Sequence, residues 1–413
     1  MQLSAMTNRR LRKVRMDYST LARNLAQDVD GVIIDVHSLY ARLLGLADRR
    51  GRHGRRYELA LILVTIVLAK LAGEDHPSGI AAWARARQEL FIEVFALKRP
   101  AMPAHNTYRR VLQRGVSLED LEREVGAFLQ AWPEVGSEMR ITLDGKTVRG
   151  TIAFGETRGL HLLAAYLPGA GVVLFQVAVD TKTNEISAAP QVLKMLDLQG
   201  KIVSGDAMFA QRALSLLIVT AGGDYIWTVK DNQSQLKQDI EQLFQDDQAC
   251  VPGFSPAPTD FRAAQTTNGG HGRIETRTLT TSSLLNETCD WPGVAQVFKL
   301  ERNSQVVARG QTRAEVVYGI TSLSAAEAGP ARLLEIVREH WGQENGLHYR
   351  RDVTLKEDAG RTQDWTVAHA LAILNNLVLA LLLRGGKTNA AQERRYYAAH
   401  PDQALQLLLG APN

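Results

Sequence analysis

A chain of 413 residues, 45% hydrophobic and 22% charged, can bury a large core, and its composition excludes wholesale disorder. Its two cysteines, Cys250 and Cys289, form no CxxC pair, which argues against a zinc finger and against a disulfide-stapled fold. The formal charge of +4 is small but unevenly spread: residues 8–15 read NRRLRKVR and residues 48–56 read DRRGRHGRR. Such clusters suit phosphate contacts, or on the plainer reading a solvated face.

No apolar stretch with a cleavage site follows the basic start, so no signal peptide is expected and the cytoplasm is the expected compartment. Residues 35–130 read as helices. The run LALILVTIVLA (59–69) is too short to span a bilayer and predicts a buried helix. Asn106 and Thr107 are placed to cap YRRVLQRG, which carries Arg109 and Arg110 in its first turn. Ser117, with Asp120 three residues on, is placed to cap the next helix. With the Gly115 turn between them, the pair has the outline of a helix-turn-helix, an outline many helical pairs share.

From residue 139 the texture changes. MRITLDGKTVRG, GLHLLAAYLP and GVVLFQVAVD read as three strands with glycine-containing turns. ISAAPQVLKMLDL predicts a helix, KIVSGDAMFA a buried strand, QRALSLLIVTAGG a helix and DYIWTVKDN a strand. This order describes a mixed α/β sheet, with Asp144 and Asp206 at the ends of strand runs. Residues 233–243 read as helical. Residues 245–315, with Pro252, Pro256 and Pro258 and short Thr- and Val-rich pieces, read as a largely β insertion. VVYGITSL (316–323) resumes the sheet, and helical spacing runs from Ala331 to about Tyr349. VAHALAILNNLVLALLL (367–383) is nearly long enough to span a membrane, but His369, Asn375 and Asn376 interrupt it, so a buried core helix is expected. The expected organisation is a helical region over 1–135, a catalytic domain over 136–385 and a tail over 386–413.

Three carboxylates stand out. Asp144 follows ITL, Asp206 follows IVSG, and Glu344 lies in REHWGQENGLHY on a predicted helix. Two aspartates on strand ends facing a helical glutamate can hold two hard cations, which prefer oxygen ligands. Cations about 4 Å apart activate an attacking oxygen and stabilise the leaving one in displacement at phosphorus. Singly, each has a plain reading: Asp144 as a turn, Asp206 as a helix cap, Glu344 as a solvated helix residue. Asp352, Glu357 and Asp358 compete with Glu344 by proximity, but VTL after Asp352 favours a strand and the acidic pair reads as a loop. Lys146 and Lys230, just after strand runs, are placed to neutralise phosphates or to be solvated. His348 shares a helix face with Glu344 and Asp352, where it orients Glu344, touches the scissile phosphate or packs. Trp341 reads as a core anchor, and His271, Arg273 and Glu275 as a salt-bridge group or a DNA contact.

LDGKTVRG (143–150), SGDAMFAQ (204–211), VKDNQ (229–233), HGRIETR (271–277) and HWGQENGLHYRRDVTLKED (340–358), in that order, resemble the motifs of bacterial insertion-sequence DDE transposases, in the group of H-repeat-associated proteins. LADRRGRHGRRYEL (46–59) and MPAHNTYRRVL (102–112) resemble that group's associated helical region. The resemblance covers nearly the whole chain. It implies an RNase H-like catalytic core with Asp144, Asp206 and Glu344 as catalytic metal ligands. It also implies two Mg²⁺ ions, with Mn²⁺ as substitute. The implied partners are the terminal repeats and target as double-stranded DNA, bound by a homodimer on the nucleoid, with no membrane. At the superfamily's Tyr-x2-Arg-x3-Glu-x6-Lys positions stand Val337, His340, Glu344 and Arg351, so the tyrosine has no counterpart while Arg351 keeps a charge for a phosphate. Asp231 and Gln343 also depart from the group's usual residues. Two rival readings are a nuclease without strand transfer and a domesticated DNA-binding protein that no longer cuts.

Overall fold

The computed structural model describes residues 27–29, 32–35, 37–95, 97, 101–180, 184–246, 260–270, 272–306, 311–343 and 347–410. The basic run 8–15, the proline-rich stretch near residue 255, His271 and Glu344 lie outside them.

A short antiparallel pair, β1 (Gln27–Val29) and β2 (Val32–Ile34), precedes the helices. Helices α1 (Leu39–Leu44), α2 (Leu59–Leu71), α3 (Pro77–Ala86) and α4 (Gln88–Phe95) follow. Every residue of α2 is buried, as its all-round apolar sequence requires. Helix α5 (His105–Arg110) passes into a π-helical turn, Val111–Gly115. Its cap differs from the expected one: Ala104 takes that position without a side-chain bond, and Asn106 and Thr107 lie inside the first turn. Helix α6 (Leu118–Gln130) is capped as expected, Ser117 Oγ accepting from the Asp120 amide. The short α7 (Pro133–Gly136) leads into the sheet.

The charge of the second helix does not favour the helix-turn-helix outline as a DNA reader. Helix α6 buries Leu121, Val125, Phe128 and Leu129, and its outer side carries Glu119, Asp120 and Glu124 with the one cation Arg123 paired to the latter two, a net negative face. It lies so close to β5 (Val172–Ala178) that a Cβ on Gly126 would stand 2.7 Å from the Phe175 ring.

One nine-stranded sheet carries the rest of the fold, in the order β5-β4-β3-β6-β7-β11-β10-β9-β8. Strands β3 (Arg140–Val148), β4 (Leu160–Leu167) and β5 form an antiparallel meander. Helix α8 (Glu185–Leu193) then crosses to β6 (Ile202–Gly205), and α9 (Arg212–Thr220) to β7 (Asp224–Val229). Both new strands run parallel to β3, the arrangement of an RNase H-like core. After α10 (Ser234–Asp246) come β8 (Arg262–Gly270), β9 (Arg273–Ser282), β10 (Gln296–Val306) and β11 (Gln311–Thr321). These strands realise the expected β insertion, but not as a detached piece. They are antiparallel to one another, and β11 pairs with β7 from Tyr318↔Val229 to Thr321↔Ile226, so the insertion widens the core sheet.

Helix α11 (Pro330–Gln343) packs Leu333, Leu334, Ile336 and Val337 on the widened part, against Leu279, Phe298 and Leu300. The predicted strand around VTL is instead a π-helical turn, Arg350–Thr354. Helix α12 (Trp365–Leu383) is long and apolar enough to cross a membrane, yet 83% of its apolar window is buried within the fold. Its polar interruptions are used: Asn376 donates to Gln176 and Asn375 to Glu357, both at 2.9 Å. Two more helices, α13 (Ala390–Ala399) and α14 (Pro401–Leu409), turn back onto α1 and α2. There Arg394 bonds the Lys70 carbonyl at 3.1 Å and Asp75 at 2.8 Å, while Lys70 itself reaches Asp75 at 3.4 Å.

Candidate active site

The site starts from a register. In the parallel pair β3–β6 the last partners are Leu143 and Gly205, so the next residues, Asp144 and Asp206, emerge side by side. Asp144 is not at a strand end as expected, because β3 continues to Val148 against β4 alone. It stands where the parallel ladder stops. Asp206 opens a 3-10 turn (Ala207–Phe209) but its side chain makes no capping bond, which removes the plain reading of it as a cap. Both carboxylates reach solvent, Asp144 with 29% and Asp206 with 72% of its side chain exposed. Gly205 is dictated by packing, since a Cβ there would stand 2.7 Å from Phe209 and 3.2 Å from Trp227.

A histidine meets each aspartate. His348 Nε2 is paired with Asp144 Oδ2. His340 Nε2 lies 3.6 Å from Asp206 Oδ1, and its other nitrogen lies 3.5 Å from Ser204 Oγ, which in turn contacts Thr142 Oγ1 at 3.1 Å. The imidazole of His340, aided by the Lys230 charge and opposed by partial burial, holds the Asp206 carboxyl below its ordinary value. Lys230 is exposed, so its charge is open to a ligand as well as to Asp206.

Lys146 and Arg351 are placed differently from the expectation. The Lys146 ammonium is buried and meets Asp352, with Glu357 at 3.7 Å and Asp358 at 3.5 Å. Arg351 is 1% exposed and forks onto both oxygens of Glu357 at 2.9 Å. Neither cation faces a phosphate in this arrangement; together they neutralise the acidic residues after the helix. Asp358 also accepts from the Arg149 amide at 3.1 Å, which ties the acidic pair to the end of β3. The carboxylates that compete with Glu344 are therefore committed elsewhere.

The spacing explains the shared face. His348 meets Asp144 and Asp352 meets Lys146. Four residues of helix advance about 6 Å and two residues of strand about 6.6 Å, so the two repeats stay in step. On the opposite face of β3, Thr147 contacts His161 at 2.8 Å and His161 contacts Glu185 at 2.8 Å. A Cβ on Gly145 would fall 2.3 Å from the Glu185 carboxyl. Sequence reasoning missed this group, although Glu185 opens a helix directly after Asn184, a usual cap. It also gave His340 no role, although the four-residue spacing His340, Glu344, His348, Asp352 was legible. Arg109 and Arg110 are exposed at the end of α5, away from these contacts.

The chain is similar over most of its length to several known proteins. The protein named "Putative transposase YncI" from Escherichia coli O157:H7 is 29% identical over 84% of this chain and 88% of its own length. "Uncharacterized protein in dhlA 3'region" from Xanthobacter autotrophicus is 34% identical over 67% of this chain and 91% of its own. "H repeat-associated putative transposase YhhI" from Escherichia coli K12 is 24% identical over 89% and 98%. The family described as DDE_Tnp_1-associated matches residues 40–129, across α1 to α6. The family described as Transposase DDE domain matches residues 137–381, from just before β3 almost to the end of α12, and the chain belongs to that family.

Proposed function

We propose that the protein is a DNA transposase that hydrolyses phosphodiesters at the ends of a mobile element and joins the freed 3′-hydroxyls to target DNA. The observation that carries this reading is the side-by-side exit of Asp144 and Asp206 from the β3–β6 ladder, each met by a histidine. Paired, partly exposed carboxylates are the donor set that hard divalent cations take. Glu344 is assigned as the third ligand because it stands four residues after His340 and four before His348 in the sequence. When bound there, two Mg²⁺ ions, or Mn²⁺ in their place, supply Lewis-acid activation of the attacking oxygen and charge stabilisation on the leaving one.

The chain's own residues hold and orient. Asp144, Asp206 and Glu344 bind the cations, and His348 and His340 each fix the direction of one aspartate. Lys230 meets a phosphate beside Asp206, and Arg109 and Arg110 contact duplex DNA. A homodimer bound to double-stranded DNA brings two ends together, within the cytoplasm on the nucleoid.

The test uses the full chain with DNA from its own flanking sequence. Asp144→Asn, Asp206→Asn and Glu344→Gln should each lower Mg²⁺-dependent cleavage on the order of a thousandfold, several kcal/mol of lost stabilisation. DNA binding, measured in Ca²⁺, should stay within about twofold because phosphate contacts are untouched. Full cleavage by any one variant removes that residue from the site. Cleavage without joined product would make the protein a nuclease.

A further inference from the structure

Away from the aspartates, the face of the widened sheet that α11 crosses holds a set of polar groups without partners. The register places Thr266 opposite Arg277, Asn268 opposite Glu275, and Arg277 opposite Arg302, so these side chains share one face. Thr266 Oγ1, Asn268 Nδ2 and both Nε and Nη1 of Arg277 are buried, with no hydrogen-bond partner among the described residues. Arg277 is only 9% exposed, and Nη2 alone is used, on Glu275. Beside them opens a cleft of about 490 Å³, lined by Thr266, Leu334, Glu335, Arg338 and Glu339 among others. Glu335 pairs with Arg332, and Glu339 with Arg140, which also serves Glu138.

What remains is cationic. Arg277 shares Glu275 with Arg302, whose other carboxylate is Glu315, and the charge of Arg338 lies near Arg277. Burial, opposed by Glu275 and aided by the charges of Arg302 and Arg338, holds the Arg277 guanidinium below its ordinary value. A tetrahedral anion presents several acceptors at once, which suits forked guanidinium donors with a hydroxyl and an amide beside them.

We propose that Thr266, Asn268, Arg277 and Arg338 form a phosphate-binding site in the cleft between β8, β9 and α11. That the phosphate belongs to a DNA backbone rests on the transposase reading above. A phosphodiester held there would lie against the helix that carries His340 at its far end, so the widened sheet would grip DNA leading toward the aspartates.

The test uses the full chain and two variants that spare the buried guanidinium, Thr266→Val and exposed Arg338→Gln. In one arm, affinity for duplex DNA is measured in Ca²⁺ across a salt series. In the other, inorganic phosphate is added against chloride at matched ionic strength and thermal melting is followed. For a DNA phosphate, Arg338→Gln should weaken binding roughly fivefold and lower the slope of log K against log salt by about 1. Thr266→Val should weaken it with the slope unchanged. Protection by inorganic phosphate that both variants lose, with unaltered DNA affinity, would uphold the site but assign it to free phosphate and overturn the DNA source. No change in either arm would overturn the site itself. A wild-type protein that binds no DNA would refute the transposase reading, while the melting arm would still decide the site.

Discussion

Two cations that motif position assigns to DNA, Lys146 and Arg351, turn their charge into the protein. Lys146 serves three carboxylates and Arg351 serves one, and both belong to the polar layer between β3 and α12. Removing one partner from a buried charge cluster costs about 3–5 kcal/mol, less where a partner is partly exposed, as Asp352 and Asp358 are. Lys146→Met should therefore lower the melting temperature clearly while changing DNA affinity by less than about twofold. An unaltered melting curve with collapsed affinity would return Lys146 to the phosphate. Glu122 and His369 give a second test, since the first is buried and the second largely so. Burial pushes Glu122 up to about 8 despite the Gln176 amide, and burial with the Arg351 charge pushes His369 down to about 4. Between the ordinary carboxylate range and pH 8 the folded protein holds the Glu122 proton that the unfolded chain releases, so stability falls as pH rises. Between pH 4 and the ordinary histidine range the unfolded chain binds a proton at His369 that the folded one refuses, so stability rises with pH. The two slopes oppose each other below about pH 6.5, leaving a net fall from there to 8. Glu122→Gln should abolish that fall, read as melting temperature against pH. A persistent fall would assign it to other groups.

At the scale of elements, hydrophobic period and turn chemistry made β3 to β7, α8 and α9 legible, because each is short and bounded by glycine or a capping residue. What was not legible came from pairing. The π-helical turn at Arg350–Thr354 contains Val353 and Thr354, which favour strands in isolation but here follow a helix held down by His348 and Asp352. The fate of α6 was hidden for the same reason, since only its contact with α12 and β5 shows which side is inward. Asp144 and Asp206 were legible as a pair, whereas their histidines needed the helix register to be seen. The proposed DNA contact of helix α5 rests on Arg109 and Arg110, exposed in its last turn beside the neighbouring Arg114. Replacing Arg109 and Arg110 together with Ala should weaken DNA binding by an order of magnitude or more at low salt and flatten the salt slope by about 2. An unchanged slope would leave DNA contact to other elements.

At the scale of the whole molecule, the expected tail is part of the core. Leu405, Leu408 and Leu409 of α14 are buried in the same apolar cluster as α2, α6 and α12. Truncation after Gly386 would remove them and uncover the apolar surfaces of α1 and α2 that they pack on, at about 1.5–3 kcal/mol for each large side chain left exposed. The truncated chain should therefore be insoluble or melt many degrees lower, and residues 1–130 alone should fail to melt cooperatively. A sharp transition from residues 1–130 would show that the helical region stands by itself, and an unchanged melting temperature after truncation would show that α14 adds nothing to the core. The parallel register of β3 and β6 has a different consequence, in the history of such elements as they copy and decay. A single codon gained or lost in β3 before Asp144, or in β6, turns every later side chain of that strand to the other face of the sheet, so it would part Asp144 from Asp206 while leaving the reading frame open. Residues 307–310, the tip that joins β10 to β11 beyond the pair Val306↔Gln311, lie outside the β3–β6 register, so a change of length there leaves it untouched. In-frame insertions and deletions should thus accumulate at that tip in active copies, and within those parts of β3 and β6 only in copies that have fallen silent.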